Sequence, residues 1–177
     1  EEVGLSPDGN SVDSDSDLPD SLVTQRSLTV GQAVRTRVFW LLMFAHMTVM
    51  LVGAGVGVHR VPYYVGNGLS ESWVGPLLTA WALGMALGGF LAAWLSKRVA
   101  APRVVAISCL AGAAFIGLLL VVPLNGMTVL HAFGEGLAFG GIFAILPVVY
   151  ADYFGRNAIG SIRGVTHPVV VASNAIG

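Results

Sequence analysis

The sequence predicts an all-α, multi-pass membrane protein, and three observations carry that expectation. Four apolar stretches, Val38–Val58, Trp73–Leu95, Val104–Val122 and Met127–Tyr150, each have the roughly 17–25 residues that a spanning helix needs. Hydrophobic residues make up 55% of the 177-residue chain and charged residues 11%, where a soluble domain is about one quarter charged. The basic residues also obey the positive-inside rule. With the segment before Val38 placed in the cytoplasm, Arg26, Arg35, Arg37, Lys97, Arg98, Arg103, Arg156 and Arg163 fall inside, and of the nine Lys and Arg only Arg60 falls outside. The expected setting is an inner or plasma membrane.

Residues 1–26 hold seven of the ten acids among Ser, Asp, Pro and Gly, and read as an acidic cytoplasmic linker too poor in apolar residues to fold. Residues 27–37 space Leu28, Val30, Ala33 and Val34 for a short amphipathic helix along the inner interface, with plain linker as the alternative. The bundle is expected over residues 38–177. Its first span carries Gly53, Gly55 and Gly57, and Pro62 should kink or end it, leaving Tyr63 and Tyr64 in the outer aromatic belt. Gly66-Asn67-Gly68 is a turn signal, and Ser70 or Ser72 can cap the next helix.

The second span places Gly84 and Gly88 four apart, a face that admits close helix contact, and the fourth repeats the spacing at Gly136 and Gly140. The third span is almost wholly apolar and should face lipid, whereas the helices bearing His46, Gly84 and Glu135 should face a cavity. Pro147 should bend the fourth. A further apolar segment opens at Gly164; its fourteen residues to Gly177 reach about 21 Å as helix against a core of ~30 Å, and the chain starts at Glu1 with no initiator Met. A fragment of a longer protein is the expectation.

Candidate chemistry is confined to few residues. Glu135 lies about 12 Å into its span, and intramembrane acids usually face a bundle interior or an aqueous cavity. His131 is one turn away, so the two could share a proton or a substrate anion; the alternative is a buried pair that only locks packing. His46, at similar depth, could be a pathway residue or a helix-to-helix hydrogen bond. His59 and Arg60 stand at the outer mouth, where Arg60 could attract an anion or snorkel to headgroups. Lys97, Arg98, Asp152, Arg156 and Arg163 belong to inner loops, where ion pairing could latch a gate. There is no phosphate loop, no set of metal ligands and no nucleophile with a base, so no cofactor, metal or enzymatic activity is expected, nor a nucleic-acid partner. Cys109, the lone cysteine, can form no internal disulfide.

Three stretches carry a family resemblance: Arg37-Val38-Phe39-Trp40-Leu41-Leu42, His59-Arg60-Val61-Pro62-Tyr63, and Ala151-Asp152-Tyr153-Phe154-Gly155-Arg156 with Gly160-Ser161-Ile162-Arg163-Gly164. On these the chain resembles the second half of a major facilitator superfamily transporter, in the monocarboxylate-transporter-like and oxalate/formate-exchanger-like branch. The resemblance implies helices seven to ten of a twelve-helix fold and the start of helix eleven, with the missing N-terminal six-helix half as partner. It implies secondary transport of a small solute, an organic anion, through a lipid bilayer. Two departures stand out: Lys97 occupies a loop position where the family carries an acid, and Trp73–Leu95 lacks the arginine that monocarboxylate transporters place there. A membrane-embedded sensor or scaffold on a transporter-like fold is the alternative.

Overall fold

Six helices, with no strand among the described residues, follow one another in a computed structural model that describes residues 28–121, 127–156 and 159–177. The acidic linker expected over residues 1–26 and the last residue of the third expected span, Val122, lie outside the described residues. The helices are α1 (Val30–Ala33), α2 (Arg37–Gly66), α3 (Val74–Leu95), α4 (Ala101–Leu119), α5 (Met127–Phe154) and α6 (Ile159–Ile176). Four of them, α2 to α5, are long and apolar enough to cross a membrane. Successive helices run antiparallel, so Arg35, Arg37, Lys97, Arg98, Arg103 and Arg156 collect at one end of the bundle, here called the basic end.

α1 is a single turn rather than the eleven residues expected. Thr29 and Gln32 form a reciprocal capping box, with Thr29 N–H donating to Gln32 Oε1 at 3.0 Å and Gln32 N–H donating to Thr29 Oγ1 at 3.3 Å. Thr36 then accepts from Phe39 N–H at 3.2 Å and starts α2 afresh. Leu28 N–H donates to Phe154 O at 2.9 Å, and Ala33 is fully buried against Phe39, Leu146, Tyr150, Phe154 and Ile162. The turn therefore closes the basic end between α2 and α5.

α2 does not end at Pro62. A proline forfeits one backward hydrogen bond but leaves the following turn free to continue, and α2 runs on to Gly66, thirty residues or about 45 Å. Its end is set chemically: Asn67 donates from both N–H and Nδ2 to Tyr63 O, at 3.1 and 2.8 Å, and Gly68 takes φ +89°. Continuing the helix turns Tyr64 inward, so it is buried against Leu69, Leu77 and Ala132 instead of standing in an aromatic belt. Ser70 and Ser72 bond each other at 2.9 Å and neither caps α3, which is entered through a 3₁₀ turn, Glu71–Trp73. Pro102 in the first turn fixes the start of α4.

α5 is the axis, buried on most of its length, with α3 along one flank and α4 along the other. Its glycines divide between the flanks. A Cβ on Gly136 or Gly140 would collide with the carbonyls of Trp81 and Met85 of α3, and one on Gly84 or Gly88 would collide with those of Phe133 and Leu137 of α5. The two small-residue faces thus interlock reciprocally, backbone against backbone. On the other flank Gly134 receives the Phe115 ring and Gly141 the Ser108 hydroxyl, both from α4. α4 buries only Ala101, Val104 and Gly112 and turns Ile107, Leu110 and Leu118 outward, the face expected toward lipid.

α5 stops at Gly155, whose φ of +85° lets its N–H reach Ala151 O at 2.9 Å. Gly155→Ala should cost about 1 kcal/mol, because an L-residue pays roughly that much for the left-handed region; reversible unfolding in detergent against SDS would read it. After this turn α6 begins at Ile159, five residues before the expected Gly164, and packs along α2, with Ile162, Thr166, Val170 and Ser173 as its buried positions.

Candidate functional site

α2 meets α5 at four rungs, and the α2 residues recur every seventh position: Phe39, His46, Gly53 and Arg60. Seven residues are close to two helical turns, so one face of α2 is presented throughout. Phe39 packs edge-on to Phe154 at 6.2 Å between centroids, His46 faces Tyr150 at 6.4 Å, Gly53 leaves room for the Phe139 ring, and Arg60 binds Glu135. Apolar rungs alternate with polar ones, which yields two separate polar stations.

The station far from the basic end is an ion pair. Arg60 Nη2 donates to Glu135 Oε1, with the residues 7% and 1% exposed. Arg60 is therefore turned into the bundle and does not snorkel: a buried carboxylate is a stronger partner for guanidinium than a solvated headgroup, and the indole of Trp81 in α3 covers it at 5.2 Å. Among the described residues, Arg60 Nε, Glu135 Oε2, Trp81 Nε1 and the Tyr64 hydroxyl have no protein partner. Beside them is a cavity of about 150 Å³ bounded by Gly53, Gly57, Arg60, Leu78, Trp81 and Phe139. The arrangement can hold a proton on Oε2 and release a guanidinium to another anion.

His131 does not join Glu135. Although one turn apart, the two side chains diverge by the ~40° that separates i from i+4, and α5 has different neighbours in those directions. His131 Nε2 hydrogen-bonds to Phe115 O of α4, using the spare acceptor capacity of a helical carbonyl, with the two rings 6.2 Å apart. His59 is exposed and lines, with Arg60 and Tyr63, an apolar recess of about 230 Å³ between the ends of α2 and α4.

The second station lies toward the basic end. His46 and Tyr150 border a cavity of about 60 Å³ together with Arg163 and His167. Arg163, expected in a loop, stands instead in the second turn of α6, because that helix starts earlier than its apolar run. Asp152 is likewise in the last turn of α5, and Arg156 follows its end. Among the described residues no salt bridge joins Lys97, Arg98, Asp152, Arg156 or Arg163; Arg98 instead lies over the Trp94 ring at 4.5 Å. Trp81, Tyr150 and His167 are site residues that sequence reasoning does not single out. Trp81 and Tyr150 sit in runs that read as ordinary apolar helix, and the one signal toward the face they complete is the seven-residue step of α2.

A comparison with curated proteins returned no match. The family model described as Major Facilitator Superfamily matches residues 5–177. That match spans nearly the whole chain and agrees with the four membrane-length helices, so the chain belongs to the Major Facilitator Superfamily and is an integral membrane transporter.

Proposed function

We propose that this chain contributes helices seven to ten and the start of helix eleven of a secondary active transporter that carries a small organic anion by alternating access, coupled to protons through Glu135. The N-terminal six-helix half is its partner across the central cavity, and the basic end faces the cytoplasm, as the positive-inside rule requires. The monocarboxylate-like or oxalate/formate-like branch is the reading favoured by His59-Arg60-Val61-Pro62-Tyr63 and by the sequence Phe154-Gly155-Arg156 leading to Arg163.

The observation that carries this reading is the buried Arg60–Glu135 pair. With Glu135 ionised, Arg60 is already neutralised and offers little to an incoming anion. When a proton adds to Oε2, which has no protein partner among the described residues, the attraction falls to that of a neutral acid and Arg60 becomes the counter-charge for a solute carboxylate. One proton and one anion then occupy the station together and leave it together.

Uptake of a panel of small organic anions into proteoliposomes holding the full-length protein tests this, with and without an inward proton gradient. Glu135→Gln should abolish gradient-driven accumulation while anion exchange persists, and Arg60→Gln should abolish both. Accumulation retained in Glu135→Gln would reduce that residue to a packing role.

A further inference from the structure

We propose that the cavity at the second polar station is a separate binding site for a single carboxylate group, held by Arg163, Tyr150 and His46. Three observations support it. The polar groups on its wall can donate: the Arg163 guanidinium, the Tyr150 hydroxyl and the His46 and His167 rings, and among the described residues no acid lines it. Tyr150 is 2% exposed, yet among the described residues its hydroxyl has no protein partner, and Nδ1 of the half-buried His46 has none either. A buried hydroxyl without a partner costs about 1–3 kcal/mol, so a ligand that accepts from it recovers that cost.

Charge and size narrow the ligand. Among the described residues Arg163 is the one permanent charge on the lining, which matches a monoanion and leaves a dianion half compensated. Planar guanidinium engages planar carboxylate in two parallel hydrogen bonds. The cavity of about 60 Å³ admits a carboxylate on a chain of one or two carbons, and Phe143 and Leu146 supply apolar wall for that chain. From His46 to Arg60 is fourteen residues of α2, about 21 Å. One small anion therefore cannot bridge the two stations, and this site lies on the basic-end side of the ion pair.

Binding of ¹³C-acetate to the full-length protein in lipid nanodiscs, followed by NMR titration, tests the site without requiring transport. Saturable binding is expected, weaker for phosphate. Tyr150→Phe and Arg163→Gln should each weaken acetate about tenfold, since hydrogen bonds to charged groups are worth roughly 1.5–3 kcal/mol and the exposed Arg163 is partly screened by solvent. Arg163→Lys should recover part of the affinity, which separates lost charge from lost fold, and Arg103→Gln at the exposed basic end should change nothing. Equal affinity for phosphate, no saturable acetate binding, or unchanged affinity in both Tyr150→Phe and Arg163→Gln would overturn the assignment. Saturable acetate binding in a protein that fails the uptake test would sink the transport reading alone.

Discussion

Gly88→Ala is expected to destabilise the bundle by about 3 kcal/mol, a large effect for a single methyl group. Overpacking ordinarily costs about 1–3 kcal/mol because neighbouring side chains rotate away. Here the new Cβ would meet the carbonyl of Leu137, and backbone cannot rotate aside without moving the helix. Gly89 is the internal control. One residue along the same helix, its Cβ would sit 3.7 Å from Ala144 Cβ and Gly140 O, ordinary contact, so Gly89→Ala should stay within about 0.5 kcal/mol. Gly88→Ala combined with Gly140→Ala should cost less than the sum of the two, because the first has already parted α3 from α5. Unfolding in mixed micelles with SDS measures each of these variants. Gly88→Ala as benign as Gly89→Ala would mean that the two backbones are not in contact.

The second large effect concerns the ion pair, where stability and function should separate. Glu135→Ala leaves a guanidinium buried without its counter-charge and should cost about 3–5 kcal/mol. Arg60→Met with Glu135→Leu removes both charges and should return stability to within about 1 kcal/mol of the parent, since buried pairs are often no better than well-packed apolar side chains. The double variant should nevertheless carry no anion. Salt should leave the cost of Glu135→Ala almost unchanged, because a pair this enclosed is poorly screened. A double variant as unstable as Glu135→Ala would show that the pair supports the fold for reasons other than charge balance.

The spans are legible in the sequence because hydropathy reports the solvent of each segment, and Trp73–Leu95 differs from α3 by one residue. Helix ends are less legible, because they are set by hydrogen bonds and not by hydropathy. The first apolar run stops at Val58, yet α2 continues to the Asn67 and Gly68 cap. The early start of α6 at Ile159 escapes hydropathy for the same reason. Glu135 stands out as an acid in an apolar run, but its partner lies 75 positions away in the chain, and no local pattern chooses between Arg60 and the nearer His131. Gly84 and Gly88 on one helix and Gly136 and Gly140 on another are visible as separate spacings; that they face each other is a tertiary fact. Trp81 and Tyr150 carry no sequence signal of their own, since aromatic residues are common in membrane proteins and only their place beside charge distinguishes them.

The glycine interlock also makes α3 an external pointer to the helix of Glu135. Two helices in backbone contact cannot separate or slide without strain, so they move as one lever. Leu83 lies on the outer side of α3, 61% exposed, where a spin label disturbs neither polar station. The arc traced by such a label, read against a second one at exposed Leu41 of α2, is the arc of α5 itself, and the station of the ion pair can be followed from an exposed face of α3.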